Sequence, residues 1–487
     1  MNQKVYPVRN RRFSNGAWII SVNMGYGHQR TAYSLRELGE IINANDYEGI
    51  PEKDKTIWQS MRRSYEFISR FSRIPLIGKA TFSIYDRFQK ILSFYPKRDL
   101  SEPNFTLKQI YSLFKKGWGR DLIEKLKIKN EKLKRNLPII STFFTPAFMA
   151  EFFNYPSVAK GEDERKFIDY PSVAKGEDER KFIDYPSAAK GRKERMFFEH
   201  PGEIFCIVCD ADIARTWVPL NPSQSKIKYF APTERVIERL KLYGVKEENI
   251  FLTGYPLPQD LIGTENLEIL KEDLKYRLLN LDPQKRYFEN YKTLIEEKLG
   301  KLPENSSHPL TIMFSVGGAG AQKEIGTKLL KCLNSEIKQE KIKIILSAGI
   351  KEGVRDYFFK EIKLTGLEEF LGKSIEIIFE RKIEDYFQKF NQALRKTDIL
   401  WTKPSELSFY AALGIPIIVA PPIGSQEEFN MRWLLKSGFG LSQEDPNYIK
   451  EWLFDWLEKG YLAEAAMEGF VEGEKLGTFK IEKIISK

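Results

Sequence analysis

Twice along this chain an apolar run ends in a cluster of glycines and gives way at once to a helical pattern. Ala17-Trp-Ile-Ile-Ser-Val22 breaks at Asn23-Met-Gly-Tyr-Gly-His-Gln-Arg30, and a helical pattern resumes from Thr31. Leu310-Thr-Ile-Met-Phe-Ser-Val316 runs into Gly317, Gly318 and Gly320, with a helix from Lys323. Strand, glycine turn and helix in that order open a doubly wound α/β unit. Two such openings in 487 residues predict two Rossmann-like domains facing a cleft, since a chain of that length exceeds one core. Further strands are expected at Pro138–Phe143, Ile204–Cys209 and Ile227–Phe230. In the second half they are expected at Ile342–Leu346, Ile375–Phe379, Asp398–Trp401 and Ile415–Ala420. The join is placed at Gly254-Tyr-Pro-Leu-Pro258, which divides the chain into 1–256 and 257–487; the charged helical stretch Glu265–Leu302 is assigned to the second half.

Lysine and arginine exceed aspartate and glutamate by 10, which suits an anionic partner such as a lipid surface, a nucleic acid or a nucleotide diphosphate. No apolar run approaches the ~20 residues that span a bilayer, and the basic start has no long apolar stretch behind it, so no secretory leader is expected. Cys206-Ile-Val-Cys209 has CxxC spacing inside an apolar run; alternation along a strand points the two thiols to opposite faces, wrong for a shared metal. The sequence therefore predicts core cysteines, no metal site and a reducing, cytoplasmic compartment. Tyr155–Asp169 recurs unchanged at Tyr170–Asp184, and a third copy at Tyr185–Glu199 keeps nine of fifteen positions. Repeats that short and polar bury little, so residues 155–199 read as an expanded surface loop.

Three places carry candidate chemistry. In Gly25-Tyr-Gly-His-Gln-Arg30, backbone N–H groups at a helix start favour an anion, and His28 is either a polar cap residue or a base for a hydroxyl. Gly317-Gly-Ala-Gly-Ala-Gln322 repeats that geometry and allows a diphosphate close to the backbone, while it lacks the lysine of a P-loop. Lys403, Ser405, Glu406, Gln426, Glu427 and Asn430 fall at strand ends and helix starts of the second half, where open sheets bind ligands. Each of these alone is a helix cap or a solvated charge; clustered, they offer acceptors and amides to ribose and sugar hydroxyls.

Taken in order, these stretches resemble the MurG and monogalactosyldiacylglycerol synthase group of GT-B glycosyltransferases. Gly25-Tyr-Gly-His28 resembles the group's N-terminal GxGH loop, and Asp210 followed by Trp217 its D…W segment. Tyr229, Glu234, Gly244-Val245, Ile250 and Thr253-Gly-Tyr-Pro256 resemble the approach to the interdomain hinge. Gly317-Gly318-Ala-Gly320 resembles the donor-side glycine loop, and Lys403-Pro404 with Gln426-Glu427 and Asn430 the nucleotide-sugar motif. The resemblance implies the GT-B fold and an inverting, metal-independent transfer without a cofactor, a nucleotide sugar (UDP-linked) being the donor substrate. It makes His28 or Asp210 the base, Gly25 and Gly27 an acceptor-side phosphate loop, and Gly317, Gly318, Gly320, Lys403, Ser405, Glu406, Gln426, Glu427 and Asn430 the donor site. Two departures stand out. Phe409 occupies the place of the group's ribose-binding glutamate, so Glu406, three residues earlier, is proposed for that role. A histidine common between the group's aspartate and tryptophan is absent.

Residues 58–98 hold nine aromatics, nine basic residues and two acids. Trp58, Met61, Tyr65, Ile68 and Phe71 share a helical face, with Arg62, Arg63, Arg70 and Arg73 offset from it. The segment reads either as a helix on the domain core or as an interfacial helix on an anionic leaflet. The resemblance favours the leaflet and a lipid or lipid-linked acceptor, with the protein peripheral on the inner membrane face. No base-stacking module supports a nucleic-acid partner. A nucleotide-sugar epimerase on the same fold and an inactive GT-B scaffold are the competing readings.

Overall fold

The computed structural model describes residues 16–71, 91–155, 202–318 and 320–486. The second and third copies of the repeat, and all of the first beyond Tyr155, lie outside these residues.

Two six-stranded parallel sheets organise the chain, ordered β2-β1-β3-β4-β5-β6 and β12-β11-β10-β7-β8-β9. The first comprises β1 (Ala17–Ser21), β2 (Gly39–Asn43), β3 (Ile139–Ser141), β4 (Ile204–Ile207), β5 (Lys228–Ala231) and β6 (Ile250–Leu252). The second comprises β7 (Leu310–Ser315), β8 (Ile342–Gly349), β9 (Ile375–Phe379), β10 (Ile399–Thr402), β11 (Ile417–Val419) and β12 (Gly440–Ser442). Each order reverses beside its first strand, the arrangement that opens a crevice at the carboxyl ends of the strands. This is the two-Rossmann architecture that the paired glycine turns predict.

The alternation of β1 shows how sequence becomes layers. Trp18, Ile20 and Val22 join one apolar cluster, with Trp58, Phe114 and Trp118; Ala17 and Ile19 join another on the opposite face. Both faces of the sheet are thus covered, as parallel sheets require. Gly39 of β2 lies so close to the backbone of Ala17 that any side chain there would collide with it. In the second half one continuous core covers both faces, and the helices Glu268–Leu281 and Arg286–Leu299 of the charged stretch contribute Leu270, Leu274, Leu278 and Ile295 to it.

Two segments join the halves and touch each other. Gly254, at φ +81°, faces Glu474, and the Thr478 hydroxyl donates to the Leu257 carbonyl at 2.6 Å. The second crossing carries the last helix, Gly477–Ile485, back to the first half, where Ile481, Ile484 and Ile485 pack with Ile19, Phe205 and Phe230. The expected unit 257–487 therefore loses this helix to the first half. That face of the first sheet is apolar and the helix supplies its cover.

The basic aromatic segment begins as the helix α2 (Glu52–Phe71). Trp58 does not face outward: it is buried, edge-on to Trp118 at 4.9 Å, and Met61 packs against the same core. The face that begins with these residues is core-facing at its start, where the Trp58 ring is buried against Trp118. The side chains of Tyr65, Ile68, Arg70 and Phe71, and Arg73 itself, lie outside the described residues. Among the described residues no helix is long and apolar enough to cross a membrane.

Candidate active site

Every element that carries a candidate residue meets the crevice at the carboxyl end of a strand. β1 leads through Gly25 into α1 (Tyr26–Ser34), which places His28 in its first turn. His28 Nδ1 lies 2.7 Å from the carbonyl oxygen of Thr142, just past β3. A carbonyl only accepts, so Nδ1 carries the proton and Nε2 presents its lone pair. The ring packs edge-on against Phe143 at 4.8 Å, with Trp217 6.3 Å away. Burial pushes its pKa down to about 4, against the opposing pull of the Thr142 carbonyl and Glu406, so the imidazole is neutral at physiological pH.

Asp210 follows β4. Its pKa is pushed up to about 6, first by burial and then by Glu406 and Glu427, while Asn430 and Lys403 oppose the shift. Asn430 stands on the helix Ser425–Lys436 of the second half and bridges the crevice. Its Nδ2 donates to Asp210 Oδ1 at 3.0 Å and its Oδ1 accepts from the Ala211 N–H at 2.8 Å. One amide thus satisfies both of its polar ends across the two halves, which also fixes its orientation.

The two glycine loops face each other. A Cβ added to Gly318 would lie 3.4 Å from the Tyr26 nitrogen and 3.5 Å from Gly25 Cα, and one added to Gly317 would lie 2.5 Å from Lys403 Cε. Gly320 sits at φ +73°, a conformation that favours glycine. Tyr26, between Gly25 and Gly27, crosses into the second half, where its hydroxyl accepts from the Ile350 N–H at 3.0 Å. Lys403 pairs with Glu427, whose second oxygen accepts from the Ile423 N–H at 2.7 Å. Gln426 is half-buried in the first turn of the same helix, beside Glu427.

Not every expected ligand is placed as a ligand. Ser405 caps the 3-10 helix Glu406–Leu413, its hydroxyl accepting from the Leu407 N–H. Glu406 is buried rather than solvent-exposed; its Oε1 accepts from Arg30 Nε at 3.2 Å and its Oε2 lies against Gly27. Phe409, where a ribose-binding glutamate was sought, stacks on Tyr255 at 5.1 Å and meets Trp433 at 4.8 Å. It belongs to the packing at the hinge. Arg30, Thr142 and Tyr26 are contacts the motifs did not mark. Arg30 closes the glycine turn in the sequence without a role of its own, and its partners come from the other half. Among the described residues no group of three or more histidine, cysteine, aspartate or glutamate side chains is placed to hold a metal ion.

Two parallel Rossmann-like sheets with His28 and Asp210 on one side of the crevice, and a second glycine loop opposite, settle the architecture. The chain has the GT-B fold and resembles the MurG and monogalactosyldiacylglycerol synthase group. Residues 298–431 of this GT-B chain match the family model described as a domain of unknown function, DUF6938. The chain is 20% identical over 236 residues to the processive diacylglycerol beta-glucosyltransferase of Bacillus subtilis, 48% of this chain and 49% of that protein. It thus spans about half the length of the curated relatives it matches. Among solved structures it is similar to MurG of Acinetobacter baumannii, with 10% identity, a TM-score of 0.42, and coverage of 97% of this chain and 99% of that one. It is also similar to the UDP-GlcNAc 2-epimerase of Neisseria meningitidis bound to UDP-GlcNAc, with 12% identity, a TM-score of 0.43, and coverage of 97% and 100%.

Proposed function

We propose that this chain is a glycosyltransferase that moves a sugar from a UDP-linked donor to a lipid or lipid-linked hydroxyl, with inversion and without a metal. The observation that carries the reading is His28, whose protonated Nδ1 is committed to Thr142 and whose Nε2 is left as a base where β1 opens into the crevice, with Asp210 at the corresponding end of β4. The acceptor hydroxyl attacks the anomeric carbon and its proton passes to Nε2. The bond from that carbon to the diphosphate breaks, and its electron pair leaves with the diphosphate. The amides of Gly317 and Gly318 and the start of the helix Ser425–Lys436 are suited to hold the leaving charge. A dianionic diphosphate nearby raises the pKa of His28, so a base that is weak in the free protein strengthens when the donor binds. Asp210, held by Asn430, orients the acceptor hydroxyl.

The lipid acceptor rests on the name of the curated relatives and on the basic segment at residues 58–98, Trp58 excepted. On this reading the protein works as a peripheral protein on the inner face of a membrane. The test is turnover of radiolabelled UDP-glucose and UDP-N-acetylglucosamine with vesicles that contain diacylglycerol and anionic lipid. Label appearing in the lipid fraction supports the reading. Conversion of the nucleotide sugar to its epimer without acceptor would establish the epimerase alternative, and binding without turnover the scaffold.

A further inference from the structure

Arg30 lies two residues beyond His28, yet its guanidinium leaves its own half. It sits 4.2 Å from the ring centre of Phe390 and 4.7 Å from that of Phe387, with Tyr386 and Tyr410 completing the surround. Its side chain is 1% exposed and that of its partner Glu406 is 9% exposed. Burying two charges costs desolvation that their attraction only partly returns, so an apolar pair would join the halves at least as well. Arg30 Nη1 and the Tyr410 hydroxyl are buried next to each other, and neither has a hydrogen-bond partner beyond that contact among the described residues.

The arrangement makes sense for the carboxylate it orients. Oε1 is taken by Arg30, and none of the hydrogen bonds among the described residues uses Oε2. Oε2 lies so near the backbone at residue 27 that a Cβ there would come within 3.1 Å of it, so glycine keeps that approach open. The carboxylate bears electrostatically on both His28 and Asp210, which puts it at the reaction centre rather than deep in the donor half. A carboxylate oxygen has room for more than one donor, and a pyranose hydroxyl supplies one.

Resting on the transferase reading, we propose that Arg30 positions Glu406 to accept a hydrogen bond from a hydroxyl of the sugar on the donor, rather than from its ribose. Arg30 comes from one half and Glu406 from the other, so this contact is complete only while the halves are together. Sugar recognition is thereby tied to closure, as in induced fit.

Calorimetric titration with UDP, UDP-glucose and UDP-N-acetylglucosamine tests this, with the melting temperature of each variant as the check on folding. The wild type binds one of the nucleotide sugars more tightly than UDP. Glu406→Gln, and the double variant Arg30→Met with Glu406→Gln (which leaves no unpaired charge), keep UDP affinity and lose that increment by about tenfold. Arg30→Lys, which preserves the charge without the planar fork, retains part of the increment. A sugar increment that survives in both glutamine variants overturns the proposal. So does a parallel loss for UDP and nucleotide sugar, which would return Glu406 to the ribose or to closure alone, and so does a wild type that does not distinguish UDP from its sugars. Failure of the wild type to bind any of the three would overturn the transferase reading itself.

Discussion

At His28 the decisive partner is a main-chain carbonyl. The Thr142 oxygen selects the tautomer, and the surrounding Phe143 and Trp217 remove the water that would stabilise an imidazolium. A histidine whose folded pKa is depressed contributes stability that is present above the unfolded value and is lost as pH falls through the folded one. For His28 the window runs from 6.5 down to about 4. The chain has three histidines, so ring-proton NMR can follow each. The His28 signal should titrate near pH 4 in the free protein and move upward when UDP is bound; titration near 6.5 in the free protein would contradict the burial. His28→Ala should leave UDP affinity in place and cut turnover ~10²–10⁴-fold, measured under donor saturation. Asp210 runs the other way. Its raised pKa makes its contribution full below 3.8 and lost as pH rises through about 6. Between pH 7 and 4 the wild type should therefore gain melting temperature relative to Asp210→Asn, and a constant difference would remove the buried carboxyl from the account.

Among the elements, the glycine-ended runs at β1 and β7 were legible because a central parallel strand must be apolar on both faces. Of the edge strands, β9 was legible as Ile375–Phe379 while β2, β6 and β12 were not: β6 is an apolar run of only three residues, and β2 and β12 carry glycine and polar residues that pairing on one side tolerates. The last helix was assigned by its position in the chain to the wrong half, since only packing shows which sheet face lacks a cover. Ile481 is fully buried there, so Ile481→Ala should cost about 2–5 kcal/mol in denaturant unfolding with the slope unchanged. A cost below about 0.5 kcal/mol, typical of a surface site, would mean the helix does not dock. On α2, Trp58 belongs to the core, so membrane attraction has to come from the basic residues around it. Replacing Arg62, Arg63, Arg70 and Arg73 by glutamine should weaken sedimentation with anionic vesicles, each basic residue at the surface being worth ~1 kcal/mol. Wild-type protein that stays in the supernatant at low salt would end the interfacial reading.

Across the whole molecule, the crevice exists because two similar units meet with their strand ends facing, and polar links among the described residues help to hold them there. Tyr26 reaches Ile350, Asn430 reaches Asp210 and Ala211, and Arg30 reaches Glu406. The tandem copies beyond Tyr155 lie outside the described residues. Their composition is that of a surface loop, and loop-closure entropy changes by only about 0.6 kcal/mol per doubling of length. Deleting residues 170–184 should thus leave the melting temperature and UDP binding unchanged, and a large fall would show that the repeats pack on the body.

The sequence by itself determined what repeats locally: the strand–glycine–helix openings, the burial pattern of the central strands, and the order of motifs that resembles the MurG group. These depend on spacing within a few residues, where backbone geometry and side-chain alternation act directly. The tertiary structure alone decided which of the marked residues work together. Glu406 and Arg30 are 376 positions apart, and Asn430 and Asp210 are 220 apart. No local periodicity encodes such pairings, because they follow from how two finished domains dock. The same docking turned Phe409 into hinge packing and brought Glu406 beside His28.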